Sequence, residues 1–199
     1  WLIAEADESD ASFLHLQPHI AVVTNIDTDH MATYGGDFGQ LTDTFLKFLH
    51  NLPFYGLAVL CSDDAVIRDL RPHIRRPVVT YGVEPEADYQ AIDIRQHGTR
   101  MQFAVSLMDR SVIEVDLALP GLHNVRNALA AITVADKVGI APDSIVKGLR
   151  NFGGIGRRFE ILGEIFFDTG RALLVDDYAH HPREIEATLA AAQGSWPDR

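Results

Sequence analysis

Hydrophobic and polar positions fall along this chain in short blocks, and the spacing inside each block sets the element it predicts. Brief apolar runs bounded by turn residues read as buried strands, whereas apolar residues three or four positions apart read as one face of a helix. On that rule residues 1–4 and 20–26 predict strands. Residues 38–52 predict a helix, with Leu41, Phe45, Phe48, Leu49 and Leu52 on its apolar side. Residues 57–61 and 77–81 predict two further buried strands, separated by a helix over 63–70 entered through acidic caps. Strands alternating with helices imply a parallel sheet. From 88 to 119 the pattern changes to strict alternation in three runs, 89–95, 101–107 and 112–119. They are broken by His97-Gly98-Thr99 and Asp109-Arg110-Ser111, which predicts antiparallel hairpins.

Past Pro120-Gly121, residues 125–138 predict an Ala-rich helix ended by Gly139, and 142–149 a second helix. The best candidate linker is Asn151-Phe152-Gly153-Gly154-Ile155-Gly156, because glycine gives a hinge its backbone freedom. Strands are predicted at 159–167 and 172–175. A polar loop, Asp176-Asp177-Tyr178-Ala179-His180-His181-Pro182, then leads into a helix over 182–192 with proline in its first turn. The expected fold class is α/β. A parallel-sheet domain with an antiparallel hairpin insertion occupies 1–155, and a second α/β domain begins at 156 and runs to 199.

Composition narrows the function classes. The 199 residues are 47% apolar and 23% charged, as in ordinary globular proteins. With 17 basic against 28 acidic residues the net charge is −11, which argues against a nucleic-acid surface. No apolar run approaches the roughly 20 residues that span a bilayer, and the start does not resemble a signal peptide. One cysteine, Cys61, fits a reducing compartment, so a soluble cytoplasmic protein is expected. A first residue that is Trp, and a last helix with no strand after it, are the marks expected of a segment of a longer chain.

Charge is unevenly placed. Residues 1–46 hold Glu5, Asp7, Glu8, Asp10, Asp27, Asp29, Asp37 and Asp43 and no Lys or Arg. Carboxylates beside apolar strands need a counter-charge, from a metal ion or from a basic segment elsewhere.

Three constellations carry candidate chemistry. Thr24-Asn25-Ile26-Asp27-Thr28-Asp29-His30 follows a strand, and oxygen ligands with one imidazole suit Mg²⁺ or Mn²⁺. Turn chemistry is the competing reading. Ala4-Glu5-Ala6-Asp7-Glu8-Ser9-Asp10 follows the first predicted strand, so two neighbouring parallel strands would present Glu5 and His30 to one ion. At the second, Gly121-Leu122-His123-Asn124-Val125-Arg126-Asn127, the carboxamides of Asn124 and Asn127 share a helix face and can pair with a purine edge, or Asn124 simply caps the helix. The third joins Arg157 and Arg158, suited to phosphate, with Asp177 at a strand end, suited to ribose hydroxyls. Its adjacent His180 and His181 invite zinc, yet neighbours in sequence rarely point at the same ion, and with one cysteine in the chain zinc is not favoured.

Taken together, the motif 4–13, Thr24-Asn25-Ile26 with Asp29-His30-Met31, Asn51-Leu52-Pro53, Gly121 with His123-Asn124 and Asn127, Arg157-Arg158-Phe159 and Asp176-Asp177-Tyr178 with His180-His181-Pro182 resemble the Mur ligases over essentially the whole chain. The resemblance implies a three-domain, ATP-dependent amide ligase of peptidoglycan precursor synthesis. This chain corresponds to most of its central ATPase domain and the opening of its Rossmann-like C-terminal domain. It implies ATP and Mg²⁺ (or Mn²⁺) as cofactors, and UDP-N-acetylmuramate and L-alanine as substrates. Glu5 and His30 match the family's metal ligands, and His123, Asn124 and Asn127 its adenine region. Arg158, Asp177 and His180 match the part that meets ribose and phosphates, so Glu5, His30, Arg158 and His180 are the expected catalytic residues. Two departures matter. No Gly-x-x-x-x-Gly-Lys-Ser/Thr phosphate loop occurs, and the position of the carbamylated lysine of several relatives is Phe45 here, with Lys47 turned to another face. A recycling ligase that attaches a preformed peptide to the same sugar, and a binding module without catalysis, are the competing functions.

Overall fold

The computed structural model describes residues 1–198, which pack as two compact units. One comprises Trp1–Gln90 with Leu129–Lys137, the other Ala91–Ala128 with Val138 onward.

The first unit is built on three parallel strands, β1 (Ile20–Val23), β2 (Leu57–Cys61) and β3 (Val78–Gly82), registered Ile20↔Leu57 and Ala58↔Val78. β2 lies between the other two, and Ala58, Val59, Leu60 and Cys61 are all buried. Strands covered on both faces read as unbroken apolar runs, and this one does. Helix α1 (Phe38–His50) buries Leu41, Thr44, Phe48 and Leu49, with Leu52 just beyond it. Asp37 caps its start by accepting from Gly39 N. At its end the Arg76 guanidinium donates to the Leu52 and His50 carbonyls at 2.6 and 2.8 Å, placing positive charge on the helix's negative pole. Phe13, on a short 3-10 turn over Ser12–His15, is fully buried and packs edge-on against the half-buried Phe45 ring.

Two expectations change here. Residues 1–4 form no strand, and Trp1, Leu2 and Ile3 are 92, 93 and 92% exposed. An apolar run becomes a strand only where a neighbour takes its N–H and C=O groups, and β1 pairs with β2 alone. Helix α2 (Ala65–Leu70) is capped by Asp64, which accepts from Ile67 N, while Asp63 reaches across to accept from Val83 N and Glu84 N.

Strand β4 (Tyr89–His97) begins in the first unit, parallel to β3 through Tyr81↔Tyr89, and continues into the second. There the sheet goes on with β5 (Arg100–Ser106) and β6 (Val112–Leu117), an antiparallel pair running from Met101↔Leu117 to Ser106↔Val112. The alternating region is therefore an extension of the parallel sheet, giving one mostly parallel six-stranded sheet in chain order. Helix α3 (Leu122–Lys137) starts in the second unit and ends in the first, where Asp136 accepts from the buried Tyr89 hydroxyl. Helix α4 (Pro142–Asn151) packs on β6. The antiparallel ribbon of β7 (Glu160–Phe167) and β8 (Gly170–Asp176) and helix α5 (Pro182–Ser195) complete the second unit. No helix among the described residues is long and apolar enough to cross a membrane.

Candidate functional site

The candidate residues divide between the units. In the first unit the segment from Glu5 to Asp10 is a loop whose carboxylates bind their own turns: Asp7 accepts from Ser9 N and Asp10 from Ser12 N, both at 2.8 Å. Hydrogen bonds from Ser9, and a smaller attraction from His30, hold the Asp7 carboxyl below its ordinary value. Ser12 does the same for Asp10. Beyond β1, Asp27 accepts from Thr28 N and Asp29 from His30 N, and His30 Nε2 lies 3.6 Å from Asp29. His30 sits in the left-handed region at φ +50°, a conformation most side chains avoid and one that clusters at functional sites.

Two hydroxyls tie these loops together, neither of them anticipated from the sequence. Thr33 Oγ1 donates to the Ser9 carbonyl at 2.5 Å, and the buried Tyr34 hydroxyl donates to the Glu8 carbonyl. Burial and the neighbouring Glu8, Asp10 and Asp7 raise the Tyr34 pKa, so the phenol stays a donor. The expected pair of neighbouring strands does not present Glu5 and His30, because no strand precedes Glu5; cross-links from the turn after His30 join the loops instead. No three acidic, His or Cys groups converge among the described residues. Mg²⁺ in general takes one or two protein carboxylates and fills its octahedron with phosphate oxygens and water.

The second unit carries a cationic cluster of its own. After α4 the chain turns through Arg157 and Phe159, both at positive φ. Phe159 is buried and stacks on Trp196. Asp177, at the end of β8, accepts from Phe159 N through one oxygen and from Ala179 N through the other, both at 2.8 Å. The carboxylate fixes the loop while lone pairs are left for a hydroxyl. Arg157 lies over the Tyr178 ring at 4.8 Å and Arg158 at 5.9 Å, so one aromatic face gathers both guanidinium groups. Glu184 binds the remainder: its carboxylate accepts from His180 N and His181 N, lies 3.8 Å from Arg158 Nη1 and 3.5 Å from His180 Nδ1, and completes the capping box of α5. Glu184 was missed in the sequence, where a Glu three residues after a helix N-cap is the signal that could have found it.

At the start of α3 the Asn124 carboxamide donates to the Pro120 carbonyl at 2.8 Å, so its amide holds the turn into the helix. Asn127 is exposed one turn on. Burial lowers the His123 pKa, with Arg126 and Arg158 adding to the effect and Asp177 opposing it, so the ring is neutral near pH 7. Gly121, at φ +93°, lets α3 approach α5 here: a Cβ would stand 2.7 Å from His123 Cε1 and 2.8 Å from Ala191 Cβ. Within this unit, then, the structure brings His123, Arg158 and Asp177 into one electrostatic neighbourhood, and Glu184 joins Arg158 to His180.

The protein is of the α/β class, a mostly parallel six-stranded sheet with an antiparallel hairpin, and loops at strand ends are where such folds hold ligands. Residues 3–135 match the Mur ligase middle domain, and the chain belongs to the Mur ligase family. It is similar to the UDP-N-acetylmuramate-alanine ligase MurC of Thermotoga maritima at 28% identity and TM-score 0.80, covering 97% of this chain and 42% of that one. It is also similar to a murein peptide ligase of Psychrobacter arcticus at 29% identity and TM-score 0.68, covering 94% of this chain and 37% of that one. MurF ligase of Thermotoga maritima, solved in complex with ADP, shares the fold at 21% identity and TM-score 0.70, over 87% of this chain and 39% of that one. The chain thus spans about two fifths of the length of these structures.

Proposed function

We propose that this chain is the nucleotide-handling part of an ATP-dependent ligase that joins L-alanine to the lactyl carboxylate of UDP-N-acetylmuramate in peptidoglycan precursor synthesis, in the cytoplasm. Family membership supports an acid–amine ligase, and the observation that carries the particular substrate is likeness to the alanine-adding ligase over nearly the whole chain. On this reading 1–155 is the central ATPase domain and 156–199 the start of the C-terminal domain.

The chemistry transfers the γ-phosphoryl group of ATP to a carboxylate oxygen, giving an acyl phosphate and ADP. The amine nitrogen then attacks the acyl carbon, the C–O bond to phosphate breaks, and an ammonium proton is lost to solvent. In this chain Glu5 and His30 would hold Mg²⁺, which neutralises the crowded phosphate oxygens. His123, kept neutral by burial, and the exposed Asn127 offer hydrogen bonds to the adenine edge, with Asn124 holding their helix start. Asp177 accepts from ribose. Arg158 meets phosphate oxygens, and His180 is kept beside it by their common partner Glu184.

The test is phosphate release by the intact enzyme with ATP, Mg²⁺ and UDP-N-acetylmuramate, offered either L-alanine or a preformed stem peptide. Turnover with L-alanine alone supports the proposal. Turnover with the peptide alone establishes the recycling reading, which the 29% identity to the murein peptide ligase supports. Nucleotide binding without turnover on either points to a module. Residues 1–199 by themselves are expected to turn over at background, because they contain no phosphate loop to cradle the γ-phosphate.

A further inference from the structure

We propose that Tyr34 and Thr33 are positioning residues that hold the Glu5 loop and the His30 loop at the spacing a shared divalent cation requires. The inference rests on the assignment of Glu5 and His30 to a metal and goes on to say what sets their geometry.

Glu5 lies in the loop that leads into the short 3-10 turn over Ser12–His15. The loop is anchored further on, where Phe13 is buried and the Asn51 carboxamide donates to the Leu14 carbonyl. Phe13 N donates to Asp7 O at 3.2 Å, and among the described residues two side-chain bonds join this loop to the turn after His30, Thr33 Oγ1 to Ser9 O and Tyr34 OH to Glu8 O, across 24 and 26 residues. Their own platform is rigid. Thr33 N donates to His30 O and Gly36 N to Met31 O, Asp37 N donates to Tyr34 O, and Asp37 caps α1. A continuous hydrogen-bonded path therefore runs from helix α1 through the turn to His30, and sideways through two hydroxyls to the backbone three residues from Glu5.

Both bonds go to main-chain carbonyls, which leaves the nearby carboxylates free of them. Thr33 is exposed, so its hydroxyl would have water if the loop were elsewhere. Mg²⁺ binds its ligands within a narrow range near 2.0–2.1 Å, and outer groups that orient ligands typically change metal affinity by about 10–100-fold when removed.

The test uses the intact enzyme and Mn²⁺, titrated by its electron paramagnetic resonance signal, together with the Mg²⁺ dependence of turnover at saturating ATP. Tyr34→Phe and Thr33→Val are each expected to weaken Mn²⁺ binding about 10-fold or more. The Mg²⁺ requirement should rise, turnover at saturating Mg²⁺ should stay within a few-fold of the parent, and amides 5–10 should exchange faster in the metal-free protein. Thr33→Ser keeps the hydroxyl and should bind Mn²⁺ as the parent does. Unchanged Mn²⁺ affinity in Thr33→Val, whose exposed position leaves folding intact, overturns the proposal, as does unchanged affinity in folded Tyr34→Phe. Glu5→Gln separates the two levels. If it weakens Mn²⁺ binding while the hydroxyl variants do not, positioning alone fails; if it too leaves binding unchanged, the metal assignment fails and takes the proposal with it.

Discussion

The acidic loops of the first unit and the cationic loops of the second solve the same problem in opposite ways. In the first, Asp7, Asp10, Asp27 and Asp29 each accept from an amide one or two residues away and so shape their own turns. In the second, charged groups reach across the chain: Asp177 binds the backbone of Phe159, and Glu184 lies beside Arg158. Locally satisfied carboxylates leave their repulsion to be answered from outside, by a cation. A woven set of guanidinium and carboxylate groups is already balanced and holds its shape before an anion arrives. The difference predicts that damage to the first region appears mainly in ligand-dependent chemistry, and damage to the second in folding.

The strongest test of that contrast is Glu5→Gln or His30→Ala in the intact enzyme. Each is expected to lower the rate of phosphoryl transfer about 10²–10³-fold, with a melting temperature close to that of the parent. A large loss of stability with unchanged turnover would reverse the roles of the two regions. Gly121→Ala comes next. A Cβ at φ +93°, under 3 Å from His123 and Ala191, should cost about 1–3 kcal/mol in denaturant unfolding. Asp177→Ala leaves two part-buried amides without their acceptor, and about 1–2 kcal/mol is expected in the same assay.

How much of this was legible in the sequence follows from which interactions are local. β2 has the expected bounds because a doubly covered strand needs only its own apolar run. The helices over 38–50 and 142–151 were visible for the same kind of reason, a periodicity contained in one segment. Trp1-Leu2-Ile3 carried an equally good strand signal and stayed in solvent, since pairing depends on a partner that no local pattern can report. The candidate residues were readable by type, but Tyr34 and Thr33 were not: a hydroxyl 26 residues from the carbonyl it binds leaves no mark in either segment. Phe45, read as standing at the position of a modified lysine, is half-buried and packs on the core residue Phe13.

pH gives a finer comparison. Burial lowers the His123 pKa, so between the folded value and the ordinary value near 6.5 the unfolded chain binds a proton that the folded chain does not. Its contribution is complete above the unfolded pKa and is lost as pH falls through the folded one. Unfolding free energy measured from pH 7.5 down to 5 should therefore fall, and His123→Phe should flatten that decline; an unchanged slope would remove His123 from the account. Smallest of all is Glu164→Gln, which breaks an exposed pair with Arg171 at 3.2 Å. It should alter stability by less than about 1 kcal/mol, because solvent screens such pairs.

Cys61 closes β2 with 3% of its surface exposed, and it is the sole cysteine of the chain. The protein therefore carries its own labelling clock. An alkylating reagent reaches the sulfur only when the sheet around it opens, so the mass gained by a single adduct, followed over time in native buffer, times that opening without any engineered probe. Since the adduct reports from the first unit alone, a nucleotide or metal that steadies that unit would slow it, and one held wholly by the second would leave its rate untouched.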